Sequence, residues 1–149
     1  MVTVKRTTNS DKDFQALIVE LDKDLQGRYG AAQQEYDQYN KVSTIDTVVV
    51  VYHENKPVGC GCFKEFDDQS VELKRMFVAE DQRGKGIGAG VIKELEDWAR
   101  ELGYKYMVLE TGTKQTEAIH LYQKKGYAVT PKYGQYVDME FSICMKKAL

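Results

Sequence analysis

Three glycines at alternate positions, with one basic residue before the first and another between the first two, mark the stretch of this 149-residue sequence that is best suited to hold an anion. The stretch reads Arg83-Gly84-Lys85-Gly86-Ile87-Gly88-Ala89. Without Cβ atoms, the backbone can turn tightly and approach a ligand closely. A helix that begins at about Gly88 would direct its unpaired N–H groups and the positive end of its dipole toward the same loop. This combination is typical of a phosphate or pyrophosphate site, and a plain glycine turn that caps a helix is the alternative.

Two other phosphate-binding motifs fit the loop less well. The mononucleotide P-loop needs a glycine, four residues and then Gly-Lys-Ser or Gly-Lys-Thr, and no such run occurs here. The dinucleotide spacing is met by Gly84, Gly86 and Ala89, and Glu110 stands about where a ribose-binding acid would follow. However, residues 79–83 separate the loop from its strand, and the chain after Glu110 is too short for the rest of a doubly wound domain. A dinucleotide-dependent oxidoreductase is therefore the weaker alternative.

The strands that must position this loop are predicted from period-two patterns and β-branched runs. They cover residues 2–7, 47–52, 58–66, 71–78 and 106–109, followed by a closing hairpin of residues 127–129 and 141–145. Strands 47–52, 58–66 and 71–78 are separated by short turns, so we expect them to pair antiparallel.

Helical spacing of apolar residues separates the strands. One helix is predicted to begin at Ser10, which forms a capping-box-like start with Asp13, and residues 26–41 are expected to be at best a short irregular helix. A second runs from about Gly88 to residue 102 and a third covers residues 115–125, each followed by a glycine. Strands joined by a helix run parallel, so we expect an α/β fold: a mixed antiparallel and parallel sheet with helices on both faces, in a single domain of residues 1–149.

The charge and apolar composition of the chain limit the kinds of binding partner that we expect. Lys plus Arg is 21 against 23 for Asp plus Glu, a net charge of -2, which supplies no basic field for nucleic acid or an anionic membrane. No apolar run approaches the ~20 residues of a membrane span, and the first residues do not lead into a signal stretch, so we expect a cytoplasmic protein. Cys60, Cys62 and Cys144 are expected to be small buried thiols, and no metal site is predicted because the two histidines lack metal-ligand spacing.

Three segments of the chain together resemble the GCN5-related N-acetyltransferase (GNAT) family. Arg83 to Gly88 matches the family motif Arg/Gln-x-x-Gly-x-Gly/Ala, which binds the pyrophosphate and nearby pantetheine of acetyl-coenzyme A. Residues 73–78 resemble the family's fourth strand, and residues 109–112 and 118–127 resemble its fifth strand and the following helix. The resemblance covers about residues 47–129 and fades in the first 45 and the last 20 residues.

The resemblance implies an enzyme that transfers an acetyl group from acetyl-CoA, a cosubstrate, to a primary amine of a small molecule or peptide, without a metal. In the family, pantetheine amides pair with fourth-strand backbone, and the glycine loop holds the pyrophosphate. The implied coenzyme-binding residues are Met76, Phe77, Val78, Arg83, Gly84, Lys85, Gly86, Ile87, Gly88 and Ala89. Such enzymes are often dimers, so a homodimer is an option. A non-catalytic acyl-CoA-binding or sensor module with the same fold is a further alternative.

Three side chains match catalytic positions of the family. Tyr122 stands where a tyrosine protonates the coenzyme A thiolate, and its alternative is an aromatic residue packed under the sheet. Glu72 stands where some members carry a glutamate that deprotonates the amine through water, and a salt bridge to Lys74 is its alternative. Glu110 is the second candidate for the base.

The acceptor amine is not specified by any motif. Five tyrosines occur in the two regions that line the acceptor pocket in the family, and they either shape that pocket or are scattered surface residues: Tyr29, Tyr36, Tyr39, Tyr133 and Tyr136. His120 is expected to be exposed, because it lies about 200° around the helix from Tyr122.

Overall fold

The computed structural model describes residues 1–33 and 44–149, so the predictions for Tyr36 and Tyr39 lie outside the described residues. Seven strands lie within the described residues: β1 Val2–Thr7, β2 Val48–His53, β3 Lys56–Glu65, β4 Ser70–Val78, β5 Tyr106–Gly112, β6 Ala128–Thr130 and β7 Ser142–Ala148. They form one mixed sheet in the order β1-β2-β3-β4-β5-β7-β6. β1 with β2 and β2 with β3 are antiparallel, whereas β4 and β5 are parallel. The predicted mixed sheet is confirmed.

Three α-helices are described: α1 Lys12–Tyr29, α2 Ile87–Glu101 and α3 Thr116–Lys124. The predicted start of α1 at Ser10 is wrong, because Asp11 is the N-cap and its carboxylate accepts a 3.0 Å hydrogen bond from the Phe14 N–H. The irregular segment predicted from residue 26 is also wrong at its beginning. The helix continues through Gly27 to Tyr29, and an Arg28–Asp24 ion pair of 3.1 Å, one turn apart, supports its last turn.

One compact unit consists of Met1–Phe63 and Lys74–Leu95. The apolar stripe of α1 packs in its core with residues of β2, β3 and β4, a cluster that contains Phe14, Leu17, Leu21, Leu25, Val48, Val50, Cys60, Cys62 and Phe77. Cys60 and Cys62 are both fully buried free thiols, as the alternation of the strand predicts.

Glycines on β3 allow α2 to lie close to the sheet. A Cβ on Gly59 would come within 2.8 Å of the Ile87 side chain, and one on Gly61 within 3.0 Å of Val91 and Leu95. Any larger residue at these two positions would push the helix away from the strand. The same stretch is tied to the end of β4 by a 2.8 Å hydrogen bond from the Ala79 N–H to the Val58 carbonyl.

The other compact unit consists of Lys64–Leu73 and Glu96–Leu149. The closing hairpin is confirmed, since β6 and β7 pair antiparallel. β7 also pairs antiparallel with β5 along its whole length, so the last strand lies between β5 and β6. The parallel register of β4 with β5 covers Ser70–Leu73 against Tyr106–Leu109 and places Glu72 opposite Val108.

Candidate active site

The glycine loop has the backbone conformation that its sequence requires. Gly84 and Gly86 have φ angles of +79° and +81°, which L side chains rarely adopt, and a Cβ at either position would meet no atom within 4 Å. The space beside the loop backbone is therefore open, and a side chain would be excluded by strain rather than by crowding. The residues fit an anionic group that approaches the backbone directly.

The first turn of α2 follows this loop without a break. The helix begins at Ile87, and its first helical bond runs from the Gly90 N–H to the Gly86 carbonyl at 3.1 Å. The N–H groups of Ile87, Gly88 and Ala89 precede that bond and have no helical acceptor. These amides and the positive end of the helix dipole are what a pyrophosphate needs.

The two basic residues of the loop, Arg83 and Lys85, differ in their contacts. Arg83 Nε donates to the Val78 carbonyl at 3.0 Å, and its guanidinium lies 5.8 Å from the centre of the Phe77 ring. Arg83 thus ties the loop to the end of β4. Lys85 is exposed, with Nζ 3.4 Å from Gln82 Oε1.

A histidine that the sequence analysis did not select also contacts the loop. His53 Nδ1 lies 3.1 Å from Gln82 Oε1, the atom that Lys85 also approaches. His53 is at the end of β2, and no local pattern connects it with residues 29 positions further along the chain.

The strand before the loop carries an irregularity that the sequence does not predict. Arg75 has a φ of +56°, unusual for a residue other than glycine. Its guanidinium is buried and forms an ion pair with Asp22 of α1, and its carbonyl accepts from the Cys60 thiol at 3.5 Å. These contacts hold the strained backbone just before Met76, Phe77 and Val78, the three residues matched to the pantetheine-binding strand.

A second group of candidate residues surrounds Glu72. Glu72 is 3% exposed, and its Oε2 accepts a 2.8 Å hydrogen bond from the Tyr133 hydroxyl. Lys64 Nζ lies 4.0 Å from the other carboxylate oxygen. Burial and the charge of Glu72 raise the pKa of Tyr133 well above its usual value, so the phenol keeps the proton that it donates.

Glu110 and Tyr122 belong to the same compact unit as Glu72, the unit of Lys64–Leu73 and Glu96–Leu149. Glu110 is half-buried near the end of β5 and accepts a 2.8 Å hydrogen bond from Ser142 Oγ on β7. Tyr122 is buried on α3, with its ring 5.9 Å from that of Tyr127 in an edge-to-face contact. Burial, and to a lesser degree the charge of Glu110, raise the pKa of Tyr122 well above 10. Near neutral pH Tyr122 therefore holds a proton that it can give.

Of the remaining predictions about individual side chains, one is confirmed and one is wrong. His120 is exposed, as predicted. Tyr136 is 1% exposed and Tyr29 is half-buried, so the interpretation of scattered surface tyrosines is wrong for Tyr136. Among residues 1–33 and 44–149, no group of three or more potential metal ligands comes together, and no helix is long and apolar enough to cross a bilayer.

Comparison with known proteins agrees with this arrangement. Residues 14–127 match the model of the acetyltransferase (GNAT) family. The IAA acetyltransferase of Azospirillum brasilense is 33% identical over 150 residues, covering 99% of this chain and 98% of that protein. The crystal structure of a candidate acyl-CoA N-acyltransferase from Klebsiella pneumoniae superposes with a TM-score of 0.83 at 28% identity, covering 100% of this chain and 98% of that one.

A more distant structure shares the fold. A GNAT family acetyltransferase from Elizabethkingia anophelis, crystallised with acetyl-CoA bound, has a TM-score of 0.72 at 22% identity, over 99% of this chain and 98% of that one. The chain belongs to the acetyltransferase (GNAT) family. It is an N-acetyltransferase, and the acetyl donor of its family is acetyl-CoA.

Proposed function

We propose that residues 1–149 act as one acetyltransferase domain that transfers the acetyl group of acetyl-CoA to a primary amine of a small molecule or peptide. The observation that carries the proposal is the pair of left-handed glycines, Gly84 and Gly86, directly before the first turn of α2. The open backbone of this loop suits the diphosphate of the coenzyme, which Arg83, Lys85, Ile87, Gly88 and Ala89 would help to hold. The backbone of Met76, Phe77 and Val78 would bind the pantetheine.

Acetyl transfer to an amine requires an unprotonated nucleophile, donors for the oxyanion and a proton for the departing thiolate. Glu72 is the proposed base, acting on the ammonium through water. Its support is its deep burial, the hydrogen bond that it accepts from Tyr133 at Oε2, and the match of its position with the glutamate of some family members. Glu110 is the second candidate, and its hydrogen bond from Ser142 occupies one of its oxygens.

Tyr122 is the proposed proton donor to the coenzyme A thiolate. Burial raises the pKa of Tyr122, so its hydroxyl carries a proton near neutral pH, which is the protonation state that a proton donor requires. Tyr122→Phe should lower kcat by about 10²-fold, within the usual range for general acid catalysis, with little change in the Kd for acetyl-CoA. Tyr104→Phe, at a partly exposed tyrosine of the same unit, is the matched control. An unchanged kcat in Tyr122→Phe would remove this residue from the mechanism.

The experiment that tests the function is a panel of amines, polyamines, amino acids and peptides offered with acetyl-CoA, with free coenzyme A thiol as the readout. Thermal unfolding with acetyl-CoA and with NADH runs in parallel. A ligand at 100 times its Kd adds about 2.7 kcal/mol of stability. Stabilisation by NADH alone would support an oxidoreductase, and stabilisation by acetyl-CoA without thiol release for any amine would support a non-catalytic module.

Two glycine variants test whether acetyl-CoA binds at the glycine loop. Gly86→Ala places a side chain at a φ of +81° and should abolish most of the stabilisation by acetyl-CoA, because the loop must change conformation. Gly27→Ala in α1 is the same substitution at a helical site where a Cβ meets nothing within 4 Å. It should leave acetyl-CoA binding unchanged. Equal acetyl-CoA binding by the two variants would contradict the assignment of the loop.

A further inference from the structure

Gln82 lies where the chain leaves the end of β4 and enters the glycine loop. It is the last residue of a short 3-10 turn, Glu80–Gln82, and its N–H donates to the Ala79 carbonyl at 2.9 Å. The next residue, Arg83, ties the loop to β4 through the Val78 carbonyl. The half-buried side chain of Gln82 contacts β2 instead. The loop is therefore attached to two strands directly before its glycines begin.

One oxygen of the Gln82 side chain meets two donors. Lys85 Nζ lies 3.4 Å from Oε1, and His53 Nδ1 lies 3.1 Å from the same atom. An ammonium can only donate, so the amide atom between the two groups is the oxygen and not the nitrogen. His53 then carries a proton on Nδ1, because an oxygen that faces it can only accept. This hydrogen bond is compatible with both the neutral and the protonated imidazole.

Lys85 needs such a contact because its own position in the chain restrains it little. It stands between the left-handed glycines Gly84 and Gly86, which offer no side chain to pack against, and its side chain is exposed. A lysine that is ordered only when an anion binds loses rotamer freedom at that moment, and this loss opposes binding. The Gln82 oxygen occupies one N–H of the ammonium and leaves the other two for an anion.

We infer that Gln82 is a positioning residue, which holds the Lys85 ammonium beside the glycine loop for the diphosphate of acetyl-CoA and is itself held by His53. This inference rests on the proposed binding of the diphosphate by the loop. Gln82 acts through Lys85 and makes no contact with the coenzyme in this account. The three residues belong to the same compact unit, and His53 lies 29 positions before Gln82, outside the linear motif of the loop.

The main experiment is a double-mutant cycle on the Kd for acetyl-CoA, measured by isothermal titration calorimetry. Gln82→Met keeps the length of the side chain without the oxygen and should weaken binding about fivefold, the cost of ordering one long side chain. Lys85→Met should weaken binding about tenfold, because it removes a charge-assisted hydrogen bond to phosphate. The double variant should bind as Lys85→Met does, since Gln82 acts through the lysine. Equal losses from Gln82→Met with and without Lys85 would overturn the inference.

Two variants of His53 separate its hydrogen bond from its packing. Asparagine presents an N–H close to the position of Nδ1, whereas leucine has a similar size and no donor. His53→Asn should keep the wild-type Kd for acetyl-CoA, and His53→Leu should weaken binding by no more than Gln82→Met does. Both variants lose the 3.8 Å approach of Nε2 to Glu54, so that contact cancels in the comparison. Equal Kd values in the two variants would overturn the role of His53 as the support of Gln82.

Steady-state kinetics give a readout that a general loss of structure would not reproduce. In Gln82→Met the KM for acetyl-CoA should rise, while kcat and the KM for the amine keep their wild-type values. Gln26→Met removes a glutamine hydrogen bond of 3.2 Å to the Gly30 carbonyl in α1 and is the matched control, with no change in any of the three constants. A lower kcat in Gln82→Met would contradict a role confined to binding the coenzyme.

Failure of the inference and failure of the proposed function give different results. Absence of acetyl-CoA binding by the wild type would refute the proposed function before any variant is compared. If the wild type binds acetyl-CoA and Gly86→Ala does not, while Lys85→Met binds as tightly as the wild type, the loop holds the coenzyme without the lysine. That result overturns this inference alone. Because Gln82 and His53 are half-buried and Lys85 is exposed, the variants should fold, and thermal unfolding midpoints near that of the wild type check this.

Discussion

Two tyrosine–glutamate pairs with buried carboxylates occur in the same unit of this protein, and they differ in the distances from the carboxylate to neighbouring cations. Tyr127 donates to Glu96 at 2.7 Å, and Tyr133 donates to Glu72 at 2.8 Å. Both glutamates are at most 5% exposed. The residue types, the hydrogen-bond lengths and the burial of the glutamates are thus nearly the same, whereas Tyr127 is buried and Tyr133 is half-buried.

The cations differ. Lys147 Nζ lies 3.0 Å and 3.1 Å from the two oxygens of Glu96, and 5.6 Å from the centre of the Tyr127 ring. Arg100 adds a second cation at 3.9 Å. In contrast, Lys64 reaches one oxygen of Glu72 at 4.0 Å, with a side chain that is 48% exposed.

Glu96 is thus held by two cations in an ion network, whereas Glu72 is the carboxylate that we propose as the base. A lysine bound to both oxygens, as at Glu96, leaves little capacity to accept a proton from a substrate. In the proposed mechanism Glu72 takes that proton through water. The first pair should therefore affect stability, and the second should affect the rate of acetyl transfer.

Removal of the tightly bound lysine should have the largest effect on stability. Lys147→Met leaves the Glu96 carboxylate buried with only the more distant Arg100, so the free energy of unfolding should fall by about 3 kcal/mol. Urea denaturation measures it. Lys64→Met is the control at the second pair, where a change below about 1 kcal/mol is expected. Similar losses of unfolding free energy in Lys147→Met and Lys64→Met would show that the two lysines contribute equally to stability, contrary to this prediction.

Removal of the tyrosine hydroxyl at the structural pair should have the next largest effect. Tyr127→Phe loses a buried hydrogen bond to a charged group, worth about 1.5–3 kcal/mol of unfolding free energy. The kcat/KM of the folded variant should keep the wild-type dependence on pH. A displaced acidic limb in Tyr127→Phe would mean that the two pairs are coupled.

Alkaline pH should affect the two tyrosines alike. Burial, followed by the charge of Glu96 or Glu72, raises the pKa values of Tyr127 and Tyr133 above the unfolded value of about 10. The stability from each is fully present below that pH and is lost above it, because only the unfolded state releases the proton. Each tyrosine should contribute a slope of about 1.4 kcal/mol per pH unit above pH ~10. Urea denaturation of the two phenylalanine variants should show that slope reduced in each, and an unchanged slope in either variant would contradict a raised pKa of the tyrosine it replaces.

The smallest effect is expected at the third pair. Tyr104 donates to Glu65 at 2.7 Å, but Glu65 is exposed, so water replaces the bond when it is lost. Tyr104→Phe should change the free energy of unfolding by less than about 0.5 kcal/mol and leave kcat/KM unchanged. A larger loss would show that hydrogen-bond geometry, rather than burial, decides the value of these pairs.

The parts of the site that sequence could predict are those with local causes. The glycine loop requires φ angles that only glycine adopts easily, so Gly84 and Gly86 mark the turn in the sequence itself. The start of α2, the strand β4 and the buried cysteines of β3 follow from short-range periodicity. The family resemblance then assigns roles to Glu72 and Tyr122, and their chemistry still awaits test.

The parts that sequence could not predict depend on contacts between distant residues. The hydrogen bond from Tyr133 to Glu72 joins residues 61 positions apart, and that from Tyr127 to Glu96 joins residues 31 apart. Arg75 has a positive φ and forms an ion pair with Asp22 of α1. The alternation of residues in the strand predicts neither feature. Asp11 displaced Ser10 as the N-cap because its carboxylate reaches the Phe14 N–H, a choice between adjacent capping residues that spacing alone does not decide.

The most direct test of this account compares Glu72→Gln with Glu96→Gln in the amine acetylation assay, under conditions where both variants are folded. Glu72→Gln should lower kcat/KM by about 10²–10⁴-fold, the range of general base catalysis, with little loss of stability. Glu96→Gln should unfold at lower urea concentration yet retain the wild-type rate while folded. Wild-type kcat/KM in Glu72→Gln, or an equal loss of kcat/KM in Glu96→Gln, would contradict the division between a reactive and a structural carboxylate.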